Sequence, residues 1–563
     1  MTVQLPDLVP ARLRRRWKAE GVYPGRPLFD LFRERAREHP DAPAVVEPHG
    51  TTTYAELLRA ATALATELGE QGVRGGDVVG VNLANGWRAL AADLAIAATG
   101  AVSLPYPLGR RRQDTRAILG KSRAVAALIT RTVGDQDYAR TVDELRADLP
   151  ELRHVYVEGP RLPGMRALEP VWHGPVPPQN RLPRASPDPD SAARIIVSSG
   201  TEAAPKLVAY SHNALAASRG RLLLNLRAGD REPLRLLCMV PLASAFGSVG
   251  LAALCVLGAT VLVTPRFSPS ATLRMVAEQR PTHLLGVPTM YQELLTDPTL
   301  PDTDVSSLRC VVSGGAPLQP ETAARLRRGL CATVTTVYGS ADGVNSHTRP
   351  GDPAEVVDTT AGRPDPSIVR LRIADEHGTE VPTGRTGEIW ARGPITPLCY
   401  VNDPELNRRY RAPDGWVRTG DLGAVTGDGR LRLTGRKKDI VIRAGLNISP
   451  AEVELHVSSH PDVAGAVCRG VPDPLLGERL AVFVVPTPGA QPLTLPALHR
   501  FLLTDRGLER AKLPEILRIL PAFPLSPSGK VDREQLDAQV RTPEPGNPPP
   551  VREDAAPLEE GTT

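Results

Sequence analysis

The sequence lacks a cysteine motif, a charge bias and a long apolar run. Its six cysteines are scattered without a CxxC pair, which favours buried reduced thiols over a disulfide framework or a zinc site. The 67 Lys and Arg residues nearly balance the 63 Asp and Glu residues, which argues against a dedicated nucleic-acid or membrane-surface protein. The most apolar run, from Leu251, is interrupted by Gly258 and is shorter than the about 20 residues of a membrane helix. Since no signal-peptide pattern is present either, we expect a cytoplasmic protein.

At 563 residues the chain is too long for one ordinary core, so two or more domains are expected. Short apolar strings such as "ARIIVSSG" alternate with helical patterns, one of which begins with a capping box at Thr53 and Glu56. This alternation predicts α/β layers with a largely parallel sheet. After about residue 360, short strands around Asp/Gly turns predict an antiparallel or barrel-like subdomain. A smaller α+β unit is expected at 436–540, followed by a proline-rich, disordered tail at 541–563.

The stretch "SSGTEAAPK", Ser198 to Lys206, follows an apparent buried strand. Its backbone N–H groups and hydroxyls could converge on phosphate oxygens. A Walker A loop would need a second glycine before Lys206 and a hydroxyl residue after it, but Pro205 and Leu207 stand there. The pattern therefore argues against a P-loop NTPase, and taken alone it is equally compatible with a polar turn.

The same stretch resembles the phosphate loop of the adenylate-forming ligase superfamily, which includes acyl-CoA synthetases, aryl-acid-activating enzymes, peptide-synthetase adenylation domains and luciferases. Further segments resemble motifs of this superfamily in chain order: "THLLGVPTMY", "LRCVVSGGAPLQP", "TVYGSADG", "GWVRTGDLG", "LTGRKKDIVIRAGLNISPAEVE", "HPDVAGAVCRGVPDPLLGERLAVFVV" and "LSPSGKVDR". The resemblance implies an N-terminal domain, residues 1–435, of two doubly wound α/β subdomains plus a distorted β-barrel. It also implies that residues 436–540 form a mobile α+β domain that carries the catalytic lysine, Lys530.

The implied reaction has two halves. A carboxylate attacks the α-phosphorus of ATP and expels pyrophosphate, and then a thiol, that of CoA or of a carrier protein, displaces AMP. Such chemistry depends on positioning and charge neutralisation, so the site needs cations, amide donors and Mg²⁺ more than a protein nucleophile.

The resemblance also assigns roles to residues. Lys530 would bridge the attacking carboxylate and the α-phosphate, with Lys206 and Asp342 completing the catalytic set and Asp342 serving Mg²⁺. Asp421 would bind the ribose hydroxyls, and Lys438 would be the hinge. Tyr338 would stack on adenine, opposite the 315–317 backbone. The complete expected ATP-binding set is Ser198, Ser199, Gly200, Thr201, Lys206, Gly315, Ala316, Pro317, Tyr338, Gly339, Ser340, Asp421, Arg436 and Lys530.

The sequence departs from the superfamily pattern in the phosphate loop and in the Mg²⁺ motif. Glu202 and Ala203 replace a threonine and a glycine. A carboxylate about 4 Å from a phosphate charge would cost roughly 4 kcal/mol at an effective dielectric near 20. We therefore expect Glu202 to point away from the phosphates or to pair with a cation such as Lys206. Asp342 is one methylene shorter than the usual glutamate and could reach Mg²⁺ through a water.

The expected substrate pocket is "SAFG", with Ser244, Ala245, Phe246 and Gly247. Ala245 stands where hydroxybenzoate-activating members have an asparagine, which argues against a 2-hydroxybenzoate. The small apolar wall favours an uncharged aromatic or cyclic acid. His212 could face the site or be a structural histidine.

Three hypotheses follow for the function. The first is an ATP-dependent ligase that forms an acyl or aryl adenylate and then a thioester with CoA. The second is a diazotase-like enzyme that activates nitrite with ATP and diazotises an aryl amine, as the unusual residues Glu202, Ser244 and Asp342 suggest. The third is a module that loads a separate carrier protein or acts mainly through interaction. The sequence does not predict the oligomeric state.

Overall fold

The computed structural model describes residues 3–174, 186–198, 205–227, 232–443, 446–473, 476–526 and 530–541. The chain divides into two compact units, one of Met1–Asp439 with Leu525–Val531 and one of Ile440–Pro524 with Asp532–Thr563. The boundaries at 435/436 and 540/541 stay predictions, and all but the first residue of the predicted tail lie outside the described residues.

The strands of the first unit are, in chain order, β1 Pro43–Glu47, β2 Gly50–Thr53, β3 Val78–Asn82, β4 Val102–Pro105, β5 Ala126–Thr130, β6 Thr132–Val133, β7 Gln136–Asp137, β8 His154–Glu158, β9 Arg166–Ala167, β10 Ala192–Val197, β11 Leu207–Ser211, β12 Arg235–Cys238, β13 Thr260–Val263, β14 His283–Gly286, β15 Cys310–Gly314, β16 Val334–Ser340, β17 Val344–His347, β18 Arg370–Ala374, β19 Gly387–Arg392, β20 Cys399–Tyr400, β21 Val417–Val425 and β22 Leu431–Arg436.

Its α-helices are α1 Ala11–Ala19, α2 Leu28–Glu38, α3 Tyr54–Glu70, α4 Trp87–Thr99, α5 Arg112–Ser122, α6 Tyr138–Glu144, α7 Glu169–His173, α8 His212–Leu226, α9 Val249–Ala252, α10 Pro269–Gln279, α11 Pro288–Thr296, α12 Pro320–Gly329, α13 Ala354–Thr359 and α14 Pro404–Tyr410. No described helix is long and apolar enough to cross a membrane.

Two sheets of eight described strands build the first unit. Their orders are β17-β16-β15-β14-β12-β13-β1-β2 and β20-β11-β10-β4-β3-β5-β8-β9. The inner strands of both pair in parallel, whereas β2, β11, β17 and β20 pair antiparallel at the edges. One hydrophobic core joins residues of both sheets and of helices α2, α3, α4 and α8. The predicted, largely parallel α/β organisation is confirmed.

Helix α3 shows how local sequence sets these elements. The Thr53 side chain accepts from the Glu56 backbone N–H, and the Glu56 carboxylate accepts from the Thr53 N–H, so the predicted capping box is present. The helical face with Leu57, Leu64 and Leu68 is fully buried. Burying this apolar stripe is what holds the helix between the two sheets.

The region after residue 360 forms an antiparallel sheet in the order β18-β19-β21-β22, where the antiparallel subdomain was predicted. The second unit consists of β23 Val441–Arg443, β24 Leu446–Ile448, β25 Val463–Asp473, β26 Gly477–Pro486, β27 Ile516–Ile519, α15 Pro450–Ser458, α16 Leu495–Thr504 and α17 Arg533–Arg541. Its strands form one mixed sheet with a separate small core. This is the predicted α+β unit, and all six cysteines of the chain are buried free thiols.

Candidate active site

The phosphate-loop stretch connects two antiparallel strands. Val197 at the end of β10 pairs with Leu207 at the start of β11. The Ser198 N–H donates to the Lys206 carbonyl (2.9 Å), and the Lys206 N–H donates to Ser198 Oγ (3.1 Å). The sequence predicted a loop after a buried strand but not this antiparallel return. Ser199, Gly200, Thr201 and Glu202 lie outside the described residues, so the orientation of Glu202 stays a prediction.

The Lys206 ammonium lies against two tyrosines. Its Nζ is 3.8 Å from the ring centroid of Tyr410 and 6.0 Å from that of Tyr400. The Tyr400 hydroxyl in turn donates to Asp342 Oδ1 (2.6 Å). Lys206 and Asp342, which the sequence assigned to one catalytic set, are therefore brought together around Tyr400.

Asp342 is the middle residue of the turn 341–343, between β16 and β17. Its own N–H donates to Ser340 Oγ (3.1 Å), and within the described chain its Oδ2 accepts no hydrogen bond. Mg²⁺ is commonly held by one or two carboxylates together with substrate phosphates. A single carboxylate with one oxygen available fits that mode, because the phosphates would supply the other ligands.

Asp421 on β21 is held by two donors. Arg436, its partner across the β21–β22 pair, donates Nε to Oδ1 (3.0 Å), and the Tyr338 hydroxyl donates to Oδ2 (2.6 Å). Burial raises the pKa of Asp421, while the Arg436 charge and the Tyr338 hydrogen bond oppose that shift. Both carboxylate oxygens are engaged, so a ribose would share them with these donors. The sequence assigned Tyr338 to adenine and did not predict its bond to Asp421.

Lys530 belongs to the first unit, in the segment Leu525–Val531. A Cβ placed on Gly315 would lie 3.2 Å from Lys530 Cε and 3.3 Å from Val287 Cγ1. Burial lowers the pKa of Lys530 to about 8, helped by the Arg436 charge and opposed by Asp421. Lys530 is therefore a desolvated cation at neutral pH, close to the pair expected to hold the ribose.

The residues expected at adenine lie on neighbouring parallel strands. Gly315, Ala316 and Pro317 follow β15, which pairs in parallel with β16, the strand that carries Tyr338, Gly339 and Ser340. The two segments predicted to bind adenine thus lie side by side at the carboxyl ends of β15 and β16.

The predicted pocket residues form a tight turn that reaches the same edge. The Gly247 N–H donates to Ser244 Oγ (2.9 Å), and a Cβ on Gly247 would lie 2.0 Å from the Pro241 carbonyl oxygen, so only glycine fits. A Cβ on Gly314 would lie 2.9 Å from Phe246 Cζ. Phe246 and Lys530 therefore approach the consecutive glycines Gly314 and Gly315 at the end of β15. The structure places the expected acid pocket and the expected catalytic lysine at the same end of β15.

Two other candidates differ in their surroundings. His212 is buried, its Nδ1 accepts from the Leu28 N–H (3.3 Å), and burial lowers its pKa to about 4. It is a neutral structural histidine, which decides between the two alternatives. Lys438 lies one residue before the end of the continuous part of the first unit at Asp439.

Sequence reasoning missed the residues around Asp342. Tyr400, Tyr410 and the adjacent Arg411 come from "YVNDPELNRRYR", and Tyr210 of β11 donates to the Ala341 carbonyl (2.8 Å). No short motif marks them. Only the fold places them beside the Mg²⁺ candidate.

The profile of the AMP-binding enzyme family matches residues 32–401, and that of the AMP-binding enzyme C-terminal domain matches residues 452–530. The chain belongs to the AMP-binding enzyme family. The predicted resemblance to adenylate-forming ligases is thereby confirmed, and with it the dependence on ATP.

Full-length relatives of this AMP-binding enzyme include a salicyl-AMP ligase / salicyl-S-ArCP synthetase of Mycobacterium tuberculosis, 33% identical over 94% of both chains. A 2-hydroxy-7-methoxy-5-methyl-1-naphthoate–CoA ligase of Streptomyces carzinostaticus is 32% identical over 95% of this chain and 96% of its own. Among solved structures, the amide bond synthetase McbA of Marinactinospora thermotolerans has a TM-score of 0.79 at 30% identity, covering 91% of this chain and 100% of its own. The predicted fold class, a large α/β domain with a smaller C-terminal domain, is confirmed.

Proposed function

We propose that this enzyme uses ATP to convert a small aromatic or cyclic carboxylic acid into its adenylate, with release of pyrophosphate, and then transfers the acyl group to a thiol, that of CoA in the first place. The observation that carries the proposal is the meeting of Phe246 and Lys530 at Gly314 and Gly315. An apolar aromatic wall would hold the ring of the acid, and the lysine would hold its carboxylate.

In this mechanism Lys530 supplies the positive charge that the acid carboxylate and the α-phosphate share during attack. A charge placed in advance in a buried site stabilises the negative charge that develops in the transition state. Asp421, oriented by Arg436 and Tyr338, would fix the ribose and thereby the position of the α-phosphorus. Lys206 would bind the departing pyrophosphate, and Asp342 would hold Mg²⁺ beside it. The metal, when bound, would neutralise phosphate charge.

The first substrate is supported by the pocket and by relatives named for aromatic acids. The two ligases described above are named for 2-hydroxy acids, and the proposal departs from them on this point because Ala245 offers no side chain that could hydrogen-bond a 2-hydroxyl group. The relatives' names cover three acceptors, namely CoA, a carrier protein and an amine. CoA is proposed first because the "GRKKDIVIRAG" segment resembles the acyl-CoA-synthetase form of the hinge motif.

The test is an acid-dependent exchange of pyrophosphate into ATP, run across benzoates, cyclic acids and nitrite. We expect exchange with an uncharged aromatic acid and a loss of about a hundredfold or more in Lys530→Ala, since removing one preorganised charge from a transition state costs that much. Lys437→Ala, which removes an exposed lysine paired with Glu388 (3.4 Å), is the matched control and should stay active. Unchanged exchange in Lys530→Ala would refute the role of Lys530.

The acceptor is tested with the best acid and CoA, a carrier protein or an aryl amine. Thioester formation with CoA is the expected result. AMP release that requires nitrite plus an aryl amine, with none from carboxylic acids, would instead support the diazotase hypothesis.

A further inference from the structure

Arg411, directly after α14, is a half-buried arginine with two buried nitrogen atoms whose hydrogen bonds are missing. Its Nη2 donates to the Pro397 carbonyl (2.6 Å), whereas its Nε and Nη1 are buried without a hydrogen-bond partner in the described chain. Buried guanidinium donors in a structural role are normally paired. Other described arginines leave a buried Nε unpaired, but among the described residues Arg411 alone leaves two buried guanidinium nitrogens without a partner.

The groups around Arg411 are those of the proposed phosphate site. Burial lowers the pKa of Arg411, and Tyr400, Cys399, Tyr210 and Asp342 oppose that shift. Within the described chain, Arg411 has no ion pair within 4.0 Å. The carboxylate that its charge acts on is therefore that of Asp342, at longer range.

The Lys206 ammonium lies beside one pair of aromatic rings at this place. The Tyr400 and Tyr410 ring centroids are 5.5 Å apart, and Lys206 Nζ lies against both rings. Tyr410 precedes Arg411 in the chain, and Tyr400 holds Asp342 by its hydroxyl. Pro397, whose carbonyl accepts from Arg411, also packs against the residue after Asp342, since a Cβ on Gly343 would lie 2.4 Å from Pro397 Cδ.

We propose that Arg411 is a positioning residue for the triphosphate end of ATP: its buried positive charge keeps the Asp342–Tyr400 pair in place and offsets the charge of Asp342 beside the incoming phosphates. Without Arg411, the Asp342 carboxylate would repel the phosphates at close range in a region of low dielectric. The inference rests on the proposed adenylation site, but it does not depend on which acid is activated.

Direct binding of pyrophosphate alone, measured by titration calorimetry, tests the proposal. Arg411→Met removes the charge and keeps about the length of the side chain, and Arg411→Lys keeps the charge. Arg408→Met removes an exposed charge from α14, the helix that ends just before Arg411. We expect Arg411→Met to weaken pyrophosphate binding about tenfold, Arg411→Lys by less than about threefold, and Arg408→Met not at all.

A double-mutant cycle with Asp342→Asn shows whether Arg411 acts through Asp342. In the D342N background we expect Arg411→Met to change pyrophosphate affinity by less than about twofold, since the repulsion that Arg411 offsets is gone. In the exchange assay, the KM for ATP should rise in Arg411→Met while the KM for the acid stays unchanged. A purely structural defect would raise both.

The proposal is overturned if Arg411→Met binds pyrophosphate like the wild type, if Arg408→Met has the same effect, or if the effects of Arg411→Met and Asp342→Asn are additive. If Arg411→Met does not fold, Arg411→Gln, whose amide can still donate to the Pro397 carbonyl, provides the same comparison. Because pyrophosphate binding needs neither acid nor acceptor, a failed search for the acid would refute the substrate assignment and leave this result standing.

Discussion

Lys530 shows how one residue can be tuned by its surroundings. Burial disfavours its charged form, and the Arg436 guanidinium acts in the same direction. The Asp421 carboxylate acts in the opposite direction and raises the pKa of Lys530. The same carboxylate also accepts hydrogen bonds from Arg436 and from the Tyr338 hydroxyl. The result is a lysine whose pKa of about 8 lies well below the ordinary value of 10.5.

A pH profile follows from this shift. Lys530 is protonated below pH 8 and loses its charge as the pH rises through about 8. The kcat/KM of pyrophosphate exchange, which reports the free enzyme, should therefore fall about tenfold per pH unit above that value. An unshifted lysine would hold its activity to about pH 10.

Lys530→Arg is the control for this profile, because a guanidinium stays charged over the whole range. The variant should be slower but should show no fall between pH 8 and 9.5. A wild-type profile that stays flat to pH 9.5 would contradict the assignment.

At the residue scale, the sequence predicted the side chains that carry recognisable motifs. Asp421, Arg436 and Lys530 were assigned, and the structure places them in one neighbourhood. Tyr400 and Arg411 were missed because their segment has no motif. Their proposed roles depend on their placement in the fold near Asp342. A hydrogen bond across 58 residues, such as that from Tyr400 to Asp342, leaves no local pattern.

At the scale of elements, the C-terminal end of β15 is where both the expected acid pocket and Lys530 approach the backbone. Gly315 has a φ of +82° and is approached by Lys530 Cε. A side chain here would be strained by the backbone and would also displace the lysine stem. The glycine is therefore needed for two separate reasons.

Gly315→Ala separates these reasons when it is compared with Gly384→Ala. Gly384 has a φ of +86° and nothing within 4 Å of an added Cβ. Both variants should lose about 1 kcal/mol of unfolding free energy from the left-handed backbone, measured by urea denaturation. Only Gly315→Ala should also reduce the rate of pyrophosphate exchange, by about tenfold, because the added Cβ displaces the Lys530 side chain and its ammonium group. Equal exchange rates in the two variants would show that the lysine stem does not need this space.

Elements with a strong local signal and the largely parallel pairing of strands were predicted well, but the antiparallel exception at β11 was not. The capping box and the apolar stripe of α3 are properties of neighbouring residues, so the helix could be predicted. The antiparallel return of β11 against β10 could not, since the apolar strings of both strands fit either direction of pairing.

At the scale of the whole molecule, the division after Asp439 places Lys438 where the continuous chain of the first unit ends. If the second unit rotates between the half-reactions, a few backbone torsions near Lys438 must change. A proline fixes φ near about −65° and removes one N–H, so it should restrict that change.

We expect Lys438→Pro to keep pyrophosphate exchange within about threefold of the wild type while thioester formation falls at least about a hundredfold. Lys438→Ala should support both half-reactions, since it leaves the torsions free. The two half-reactions are measured separately, by exchange and by thioester release. A parallel loss of both in Lys438→Pro would point to misfolding or to a direct role in adenylation.

The sequence by itself determined the α/β class, the smaller α+β unit, the adenylate-forming family and the motif residues, because periodicity and motif spacing are local properties of the chain. Only the tertiary structure decided that Tyr338 donates a hydrogen bond to Asp421, that Lys530 lies against Gly315, and that two nitrogen atoms of Arg411 are buried without a partner in the described chain. These depend on burial and on contacts between residues far apart in the chain, as in the 83-residue separation of Tyr338 and Asp421. Burial sets the charge of a side chain, and no stretch of sequence determines burial alone.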